Sequence, residues 1–163
     1  MSLTRYKKKR SFNKTPEPEG KKKSSTKSKL KFVVQKHDAT QLHYDFRLEM
    51  EGVLKSWAVP KGPSLNPDDK RLAMMVEDHP YDYKNFEGII PAGQYGGGDV
   101  IVWDAGRWEP HSAGRAVDPG KSVQDGELHF DVHGEKLRGR FVLVRTRIDD
   151  AGKETWLLLH KHD

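Results

Sequence analysis

Residues 42–50 of this chain, Leu-His-Tyr-Asp-Phe-Arg-Leu-Glu-Met, alternate without a break between apolar and polar side chains. In a β-strand, successive side chains leave on opposite faces. Leu42, Tyr44, Phe46 and Leu48 then belong to a core, and the other face carries His43, Asp45, Arg47 and Glu49 in a row. That row is an unusual decoration for a face turned to solvent. Imidazole and carboxylate are metal ligands, and a guanidinium grips phosphate or carboxylate with a two-pronged fork. The stretch reads as the floor of a metal- and phosphate-binding site.

The neighbouring sequence repeats the strand signal. Residues 30–36, 53–59, 71–78, 100–103, 127–133, 140–147 and 155–160 are short runs rich in β-branched and aromatic residues, separated by Gly, Pro, Asn and Asp. No helix of ten or more residues stands out. Eight or nine short strands with such turns indicate an all-β protein, a small closed or partly closed barrel of about eight strands with long loops. His37–Gln41 reads as a turn or bulge that folds His37 back over His43 and Asp45. His79-Pro80 reads as the break that follows the strand of residues 71–78, Asp104–Gly106 as a turn, and residues 109–126 as irregular.

Charge divides the 163 residues in two. Residues 1–31 hold 12 of the 29 Lys and Arg and two of the 24 Asp and Glu, a net of +10, and the rest carries a net of −5. The division reads as a basic N-terminal arm, residues 1–29, on a mildly acidic body, residues 30–163. Such an arm is either a solvated terminus or a contact for nucleic-acid phosphates. Phe12 is a candidate anchor for it. There is no cysteine, so thiolate metal sites and thiol nucleophiles are excluded. No apolar run approaches the roughly 20 residues that span a bilayer. A soluble intracellular protein with no membrane partner is expected.

Candidate site residues carry ordinary alternatives. His37, His43 and Asp45 suit Mn, Fe or Zn and leave coordination positions open, but a bare His-x5-His-x-Asp pattern also fits three surface residues. His79 with Tyr83 suits acid chemistry or a phosphate contact, or a plain loop histidine. Lys61 and Arg71 are candidate phosphate contacts or solvated charges. His129, Asp131 and His133 make an equally good metal pattern, or the exposed face of an amphipathic strand. His160 and His162 read as surface. No Walker loop, dinucleotide fingerprint, zinc helix or nucleophile elbow is present.

Several ordered motifs then point one way: Phe32-Val-Val-Gln-Lys-His37, Leu42-His-Tyr-Asp-Phe-Arg-Leu-Glu49, Trp57-Ala-Val-Pro-Lys-Gly62, Glu77-Asp-His-Pro80, Phe86-Glu-Gly-Ile-Ile-Pro91, and Tyr95-Gly-Gly-Gly98 followed by Trp103-Asp104. Together they closely resemble the 3′-phosphoesterase domain of bacterial DNA ligase D, an enzyme of double-strand break repair by end joining. The arm (Arg10-Ser-Phe-Asn-Lys-Thr-Pro-Glu-Pro18) and the last strands (Gly139–Arg145, Trp156–Leu159) extend the resemblance over residues 5–162.

The resemblance implies a compact barrel and a manganese-dependent enzyme, other divalent transition metals being alternatives. It implies removal of a 3′-terminal ribonucleoside, then of the 3′-phosphate, leaving a 3′-hydroxyl. Carried onto this chain, the metal ligands are His37, His43 and Asp45. The catalytic set is Arg47, His79, Tyr83 and His43, and the phosphate-binding set is Arg47, His79, Gln35, Lys61, Arg71 and Arg10, with Glu17 at an arm position near the site. Ser11 stands where the family usually has an acid. The implied partners are DNA primer-templates or RNA/DNA 3′ ends, and end-joining ligase, polymerase and end-binding proteins. The implied location is the cytoplasm, at the nucleoid. No ligase or polymerase segment accompanies these residues, which reads as a stand-alone or excised form. Two other classes fit the bare residues: a non-catalytic nucleic-acid-binding module that uses the basic arm, and a small barrel oxygenase with Fe(II) on two His and one carboxylate.

Overall fold

The structure is a computed structural model that describes residues 2–20, 29–111 and 118–161. The lysine run of residues 21–23 and residues 112–117 of the stretch expected to be irregular lie outside them, as does His162. Among the described residues are α1 (Thr4–Lys8), β1 (Leu30–Asp38), β2 (Leu42–Met50), β3 (Val53–Val59), β4 (Arg71–Pro80), a 3₁₀ turn (Tyr81–Asn85), β5 (Gly88–Ile90), β6 (Gly98–Pro110), α2 (Pro119–Asp125), β7 (Glu127–His133), β8 (Arg138–Ile148) and β9 (Glu154–His160). The sheet order is β1-β2-β3-β4-β9-β8-β7-β6-β5, and a further β1–β6 pairing closes it. The result is an eight-stranded antiparallel barrel with β5 added outside β6, as the strand pattern led one to expect. No helix among the described residues is long and apolar enough to cross a membrane.

The even-numbered side chains of β2 face the barrel interior from Tyr44 onward, whereas Leu42, expected in the core, is exposed at the strand's start. Phe46, Leu48 and Met50 meet Phe32, Trp57, Trp108, Phe130, Phe141 and Trp156 in one buried cluster. Burying such aromatic rings is the main favourable term for a barrel of this size. A second, smaller cluster lies on the outer face. It joins Leu54, Tyr83, Phe86, Ile90 and Val100 to Tyr6, with Phe12 packed against it. Tyr6 is wholly buried, and its hydroxyl donates to the Pro18 carbonyl. Residues 2–20 therefore lie on the barrel wall, over the polar row of β2.

Four local expectations are corrected. His37 is in β1, directly opposite His43. The polar run His-Asp-Ala-Thr looks like a turn, but the ladder continues through Asp38 before reversing. β4 runs on through His79 and Pro80. Pro80 is the last residue of the strand, where a missing N–H costs no internal ladder bond. Asp104–Gly106 is strand, not turn, within the 13-residue β6. Its turn-forming residues serve the neighbouring β7–β8 connection instead. The Asp104 carboxylate accepts from the amides of Glu135, Lys136 and Leu137 at 2.9, 3.2 and 2.8 Å. A Cβ on Gly106 would lie 2.1 Å from the His133 carbonyl oxygen. Lastly, the stretch expected to be irregular holds α2, with Asp118 as N-cap, Pro119 in the first turn and Gly126 closing it in the left-handed region at φ 88°.

Candidate metal centre and phosphate cleft

The antiparallel register assembles the site. Val33, Gln35 and His37 of β1 stand opposite Arg47, Asp45 and His43 of β2, and Ala58 and Ser56 of β3 continue the same face. In β4 the three steps from Val76 to His79 oppose two steps of β3, from Leu54 to Ser56. This bulge re-aims the strand so that Val76, Glu77 and His79 all line one cleft. The cleft has a volume of about 270 Å³ and is completed by Arg10, Tyr83 and Tyr95.

At its floor, the ligand atoms of His37, His43 and Asp45 lie within 4.8 Å of one another, and this is the one such group found among the described residues. His37 Nε2 donates to the Gly96 carbonyl at 2.6 Å, and His43 Nδ1 donates to the Gln41 carbonyl at 3.1 Å. A carbonyl can only accept, so both tautomers are fixed. The remaining nitrogens face the carboxylate: His37 Nδ1 is 3.5 Å from Asp45 Oδ2, and His43 Nε2 is 3.2 Å from Oδ1. Lone pairs aimed at a carboxylate need a proton or a cation between them. Backbone carbonyls that hold the outer nitrogens of two histidines are the usual support of a metal centre. Burial opposes the charge of Asp45, but the Arg47 guanidinium and then the facing imidazoles of His37 and His43 hold its pKa far below the usual carboxylate range. Asp45 is thus an anion ready for a cation. The donor set fits a divalent metal held by His37, His43 and Asp45.

Arg47 is buried beside this group. Its Nε donates to Gln35 Oε1 at 2.6 Å, and its Nη2 is 3.4 Å from Asp45 Oδ2. Its Cζ lies 4.9 Å from the centre of the Tyr83 ring. Nη1 is buried and has no hydrogen-bond partner among the described residues. A buried guanidinium N–H without an acceptor is costly, and an anion in the cleft would satisfy it. Gln35 is fully engaged: its Nε2 also donates to the carbonyls of Tyr83 and Phe86 at 2.8 and 3.0 Å. It positions Arg47 and has no donor left for a phosphate.

His79 Nδ1 donates to the Glu77 carbonyl at 2.9 Å, which leaves Nε2 to accept from Arg10 Nη2 at 3.4 Å. The ring is therefore neutral. Burial, then the charges of Arg47 and Arg10, pushes its pKa well below the ordinary value. Arg10 also donates to Glu17 at 2.9 Å and to Glu77 at 3.2 Å. Tyr83 donates its hydroxyl to Glu17 at 2.7 Å, and burial first, with the nearby Glu17 charge, raises its pKa well above the phenol value.

Of the residues singled out from sequence, His37, His43, Asp45, Arg47, His79, Tyr83 and Arg10 line the cleft, and Gln35 and Glu17 support it. Lys61 and Arg71 do not line it. Lys61 is exposed, and Arg71 lies 3.4 Å from Asp69 at the start of β4. Ser11 is exposed at a turn and makes no side-chain hydrogen bond among the described residues. Glu77, which takes both Lys9 and Arg10, was missed as a site residue. Its signal was its place two residues before His79, the spacing at which two strand side chains share a face. His129 pairs with Glu127 at 2.8 Å, His133 with Glu109 at 2.7 Å, and Asp131 with Arg140 at 3.3 Å. The second metal pattern thus separates into local pairs. His160 is partly buried against Phe141.

These features define a small antiparallel β-barrel with a guanidinium-lined cleft on its outer wall, at whose floor two histidines and one carboxylate could hold a metal ion. The family profile of the DNA ligase D 3′-phosphoesterase domain matches residues 35–145. The chain is 55% identical over 164 aligned residues to the multifunctional non-homologous end joining protein LigD of Pseudomonas aeruginosa, covering 99% of this chain. It is 46% identical to the LigD of Mycobacterium bovis over 90% of its length, and 44% identical to that of Mycolicibacterium smegmatis over 89%. The chain spans 19% of the length of each of these relatives. The chain belongs to the DNA ligase D 3′-phosphoesterase domain family.

Proposed function

We propose that this chain is a manganese-dependent 3′-phosphoesterase that heals nucleic-acid 3′ ends during DNA break repair. It removes a 3′-terminal ribonucleoside, then the remaining 3′-phosphate, and leaves a 3′-hydroxyl. One observation carries this reading: the unpartnered Nη1 of buried Arg47 shares a cleft with His37, His43 and Asp45. A metal centre and a guanidinium with a donor to spare are the two parts that phosphoryl chemistry requires.

His37, His43 and Asp45 would hold the ion. When bound, it supplies charge neutralisation on the phosphate and a hydroxyl nucleophile of lowered pKa. Arg47 binds the scissile phosphate through Nη1 and is kept from rotating by Gln35 and Tyr83. His79 Nε2 enters as a lone pair, so it accepts a proton before it can give one to the leaving oxygen. The negative charge of the bound phosphate, one on the diester and up to two on the 3′-phosphate, favours this uptake. Arg10 places a second guanidinium at the rim. The implied partners are DNA primer-templates or RNA/DNA 3′ ends, and end-joining ligase, polymerase and end-binding proteins, at the nucleoid.

The test is a 5′-labelled primer-template ending in one ribonucleotide, incubated with the protein and Mn²⁺. Wild type should shorten the strand to a 3′-phosphate and then remove the phosphate, and His43→Ala should do neither. An unchanged 3′ end with wild type, or equal rates for the variant, overturns the reading. A binding module without catalysis is less well supported, because the basic arm delivers Arg10 into the cleft itself.

A further inference from the structure

Two grooves open from the cleft, and they differ in charge. One, of about 620 Å³, lies between α1, β4 and the β8–β9 hairpin and shares Val76, Glu77 and Tyr95 with the cleft. Its lining includes Arg5, Lys9 and Lys153. Its acids are already engaged: Glu77 with Lys9 and Arg10, and Glu154 with Arg145 and Trp156. Arg5 and Lys153 are exposed and have no acidic partner among the described residues. The other groove, of about 820 Å³, shares Ala39, His43, Ile90 and Gly96 with the cleft. Apart from His43 its lining carries no ionisable side chain. It offers the side chains of Thr40, Gln41 and Gln94, which make no hydrogen bond among the described residues, and the exposed aliphatic surface of Ile89. The two grooves share no lining residue.

Resting on the function proposed above, we infer that these grooves set the direction of the substrate across the cleft. The retained strand, a polyanion, lies along Arg5, Lys9 and Lys153, and the departing ribonucleoside, which is uncharged, occupies the neutral groove. In this step the bond between phosphorus and the 5′ oxygen of the terminal ribonucleoside breaks. A hydroxyl oxygen from water replaces it on phosphorus, and the leaving 5′ oxygen takes up a proton. The product that leaves therefore has no charge for a basic groove to hold. A base and a ribose instead need hydrogen-bonding amides and an apolar contact, which Gln41, Gln94 and Ile89 supply. The retained strand needs cations at its phosphates, where each neutralised phosphate releases counterions. A 3′-phosphate end has nothing beyond the scissile phosphate, so it should ignore the neutral groove.

The experiment uses two primer-templates, one ending in a ribonucleotide and one in a 3′-phosphate, with fluorescence anisotropy of the labelled duplex at several salt concentrations. Arg5→Glu with Lys153→Glu should weaken binding of both duplexes and flatten the log-log salt slope by roughly 1.5 to 2. Gln94→Ala should slow ribonucleoside removal about tenfold, as expected when a hydrogen-bonding side chain to the substrate is lost, and change 3′-phosphate removal less than about twofold. An unchanged salt slope in the double variant overturns the strand assignment. Equal effects of Gln94→Ala on both ends overturn the nucleoside assignment. Absence of turnover by wild type on either end overturns the proposed function and the nucleoside assignment together, and the salt slope still decides where the strand lies.

Discussion

His37 and His43 stand opposite each other across the β1–β2 ladder, ring centres 4.7 Å apart, and each gives one nitrogen to a backbone carbonyl and the other to Asp45. The pair makes the candidate metal centre a property of strand register. A slip of one residue in either strand would turn one imidazole into the barrel.

Metal affinity should therefore depend on all three side chains. His43→Ala should lower Mn²⁺ affinity by more than the roughly 10- to 100-fold that loss of a supporting hydrogen bond costs. Calorimetric titration of Mn²⁺ measures this directly. Wild type should also melt at a higher temperature with Mn²⁺ than with chelator, because the ion binds the folded state. The same titration of His129→Ala and His133→Ala should match wild type, since those residues pair with Glu127 and Glu109.

The single-residue alternation of β2 made His43, Asp45 and Arg47 legible in the sequence, and the β-barrel with them. The burial of that polar row was less legible. Asp45 and Arg47 are 6% and 2% exposed, because they lie at the floor of a cleft whose walls come from β3, β4, Tyr83 and Arg10 of the arm. The arm's lysines suggest a solvated tail, and two aromatic residues, Tyr6 and Phe12, outweigh that composition by packing on the barrel wall. His37 reads as a turn residue in the sequence, because no local signal states how far an antiparallel ladder runs. Glu77 was missed because its partners, Lys9 and Arg10 of the arm, are remote in sequence.

Gln35 is predicted to act on Arg47 and not on phosphate. Gln35→Leu leaves the Arg47 Nε–H and the Phe86 carbonyl without partners, while the Tyr83 carbonyl keeps the Phe86 amide at 2.9 Å. At about 1–3 kcal/mol for each buried unsatisfied group, partly relieved by relaxation, the variant should lose about 2–4 kcal/mol of stability. Urea unfolding gives the number. Mn²⁺ affinity should change little, and KM should rise as Arg47 loosens. An unaltered KM would remove Gln35 from the site.

The pH dependence of stability isolates His79. Its folded pKa is depressed, by burial first and by Arg47 and Arg10 next, so below an unfolded value near 6.5 the unfolded chain binds more protons than the folded one. Stability is then full above about pH 6.5 and falls as pH drops. His43 works in the opposite sense: burial resists its charge, but the hydrogen bond to Asp45 raises its pKa, so its contribution is present at low pH and fades as pH rises through the folded value. Glu77 is depressed against burial, by a backbone hydrogen bond and then by Arg10 and Lys9, and its loss comes only below its usual value of 4.5. The difference between wild type and His79→Gln, measured with chelator present, should therefore slope between about pH 5 and 6.5 and be flat above. A flat difference throughout would show that His79 is not held neutral.

The arm is predicted to separate catalysis from metal binding. Tyr6 is the peg that docks it: the ring lies 5.1 Å from His79, 6.0 Å from Tyr83 and 5.9 Å from Phe12, with the Arg10 guanidinium 4.0 Å from its centre. Truncating a fully buried aromatic ring costs about 3–5 kcal/mol. The arm is held by few other apolar contacts, so Tyr6→Ala should release it while the barrel stays folded. The candidate ligands His37, His43 and Asp45 are on β1 and β2 and pair with one another and with Arg47, not with the arm, so Mn²⁺ affinity should hold within a few-fold. Arg10 and Glu17 would leave the cleft together, freeing the Tyr83 hydroxyl and the His79 Nε2 from their partners. Turnover of a 3′-phosphate end should then fall by an order of magnitude or more, as when a preorganised donor to a developing charge is lost. Trypsin should cut the freed arm at Lys7, Lys8 or Lys9 faster than in wild type. Faster cleavage with unchanged turnover would show that the arm covers the cleft without taking part in it.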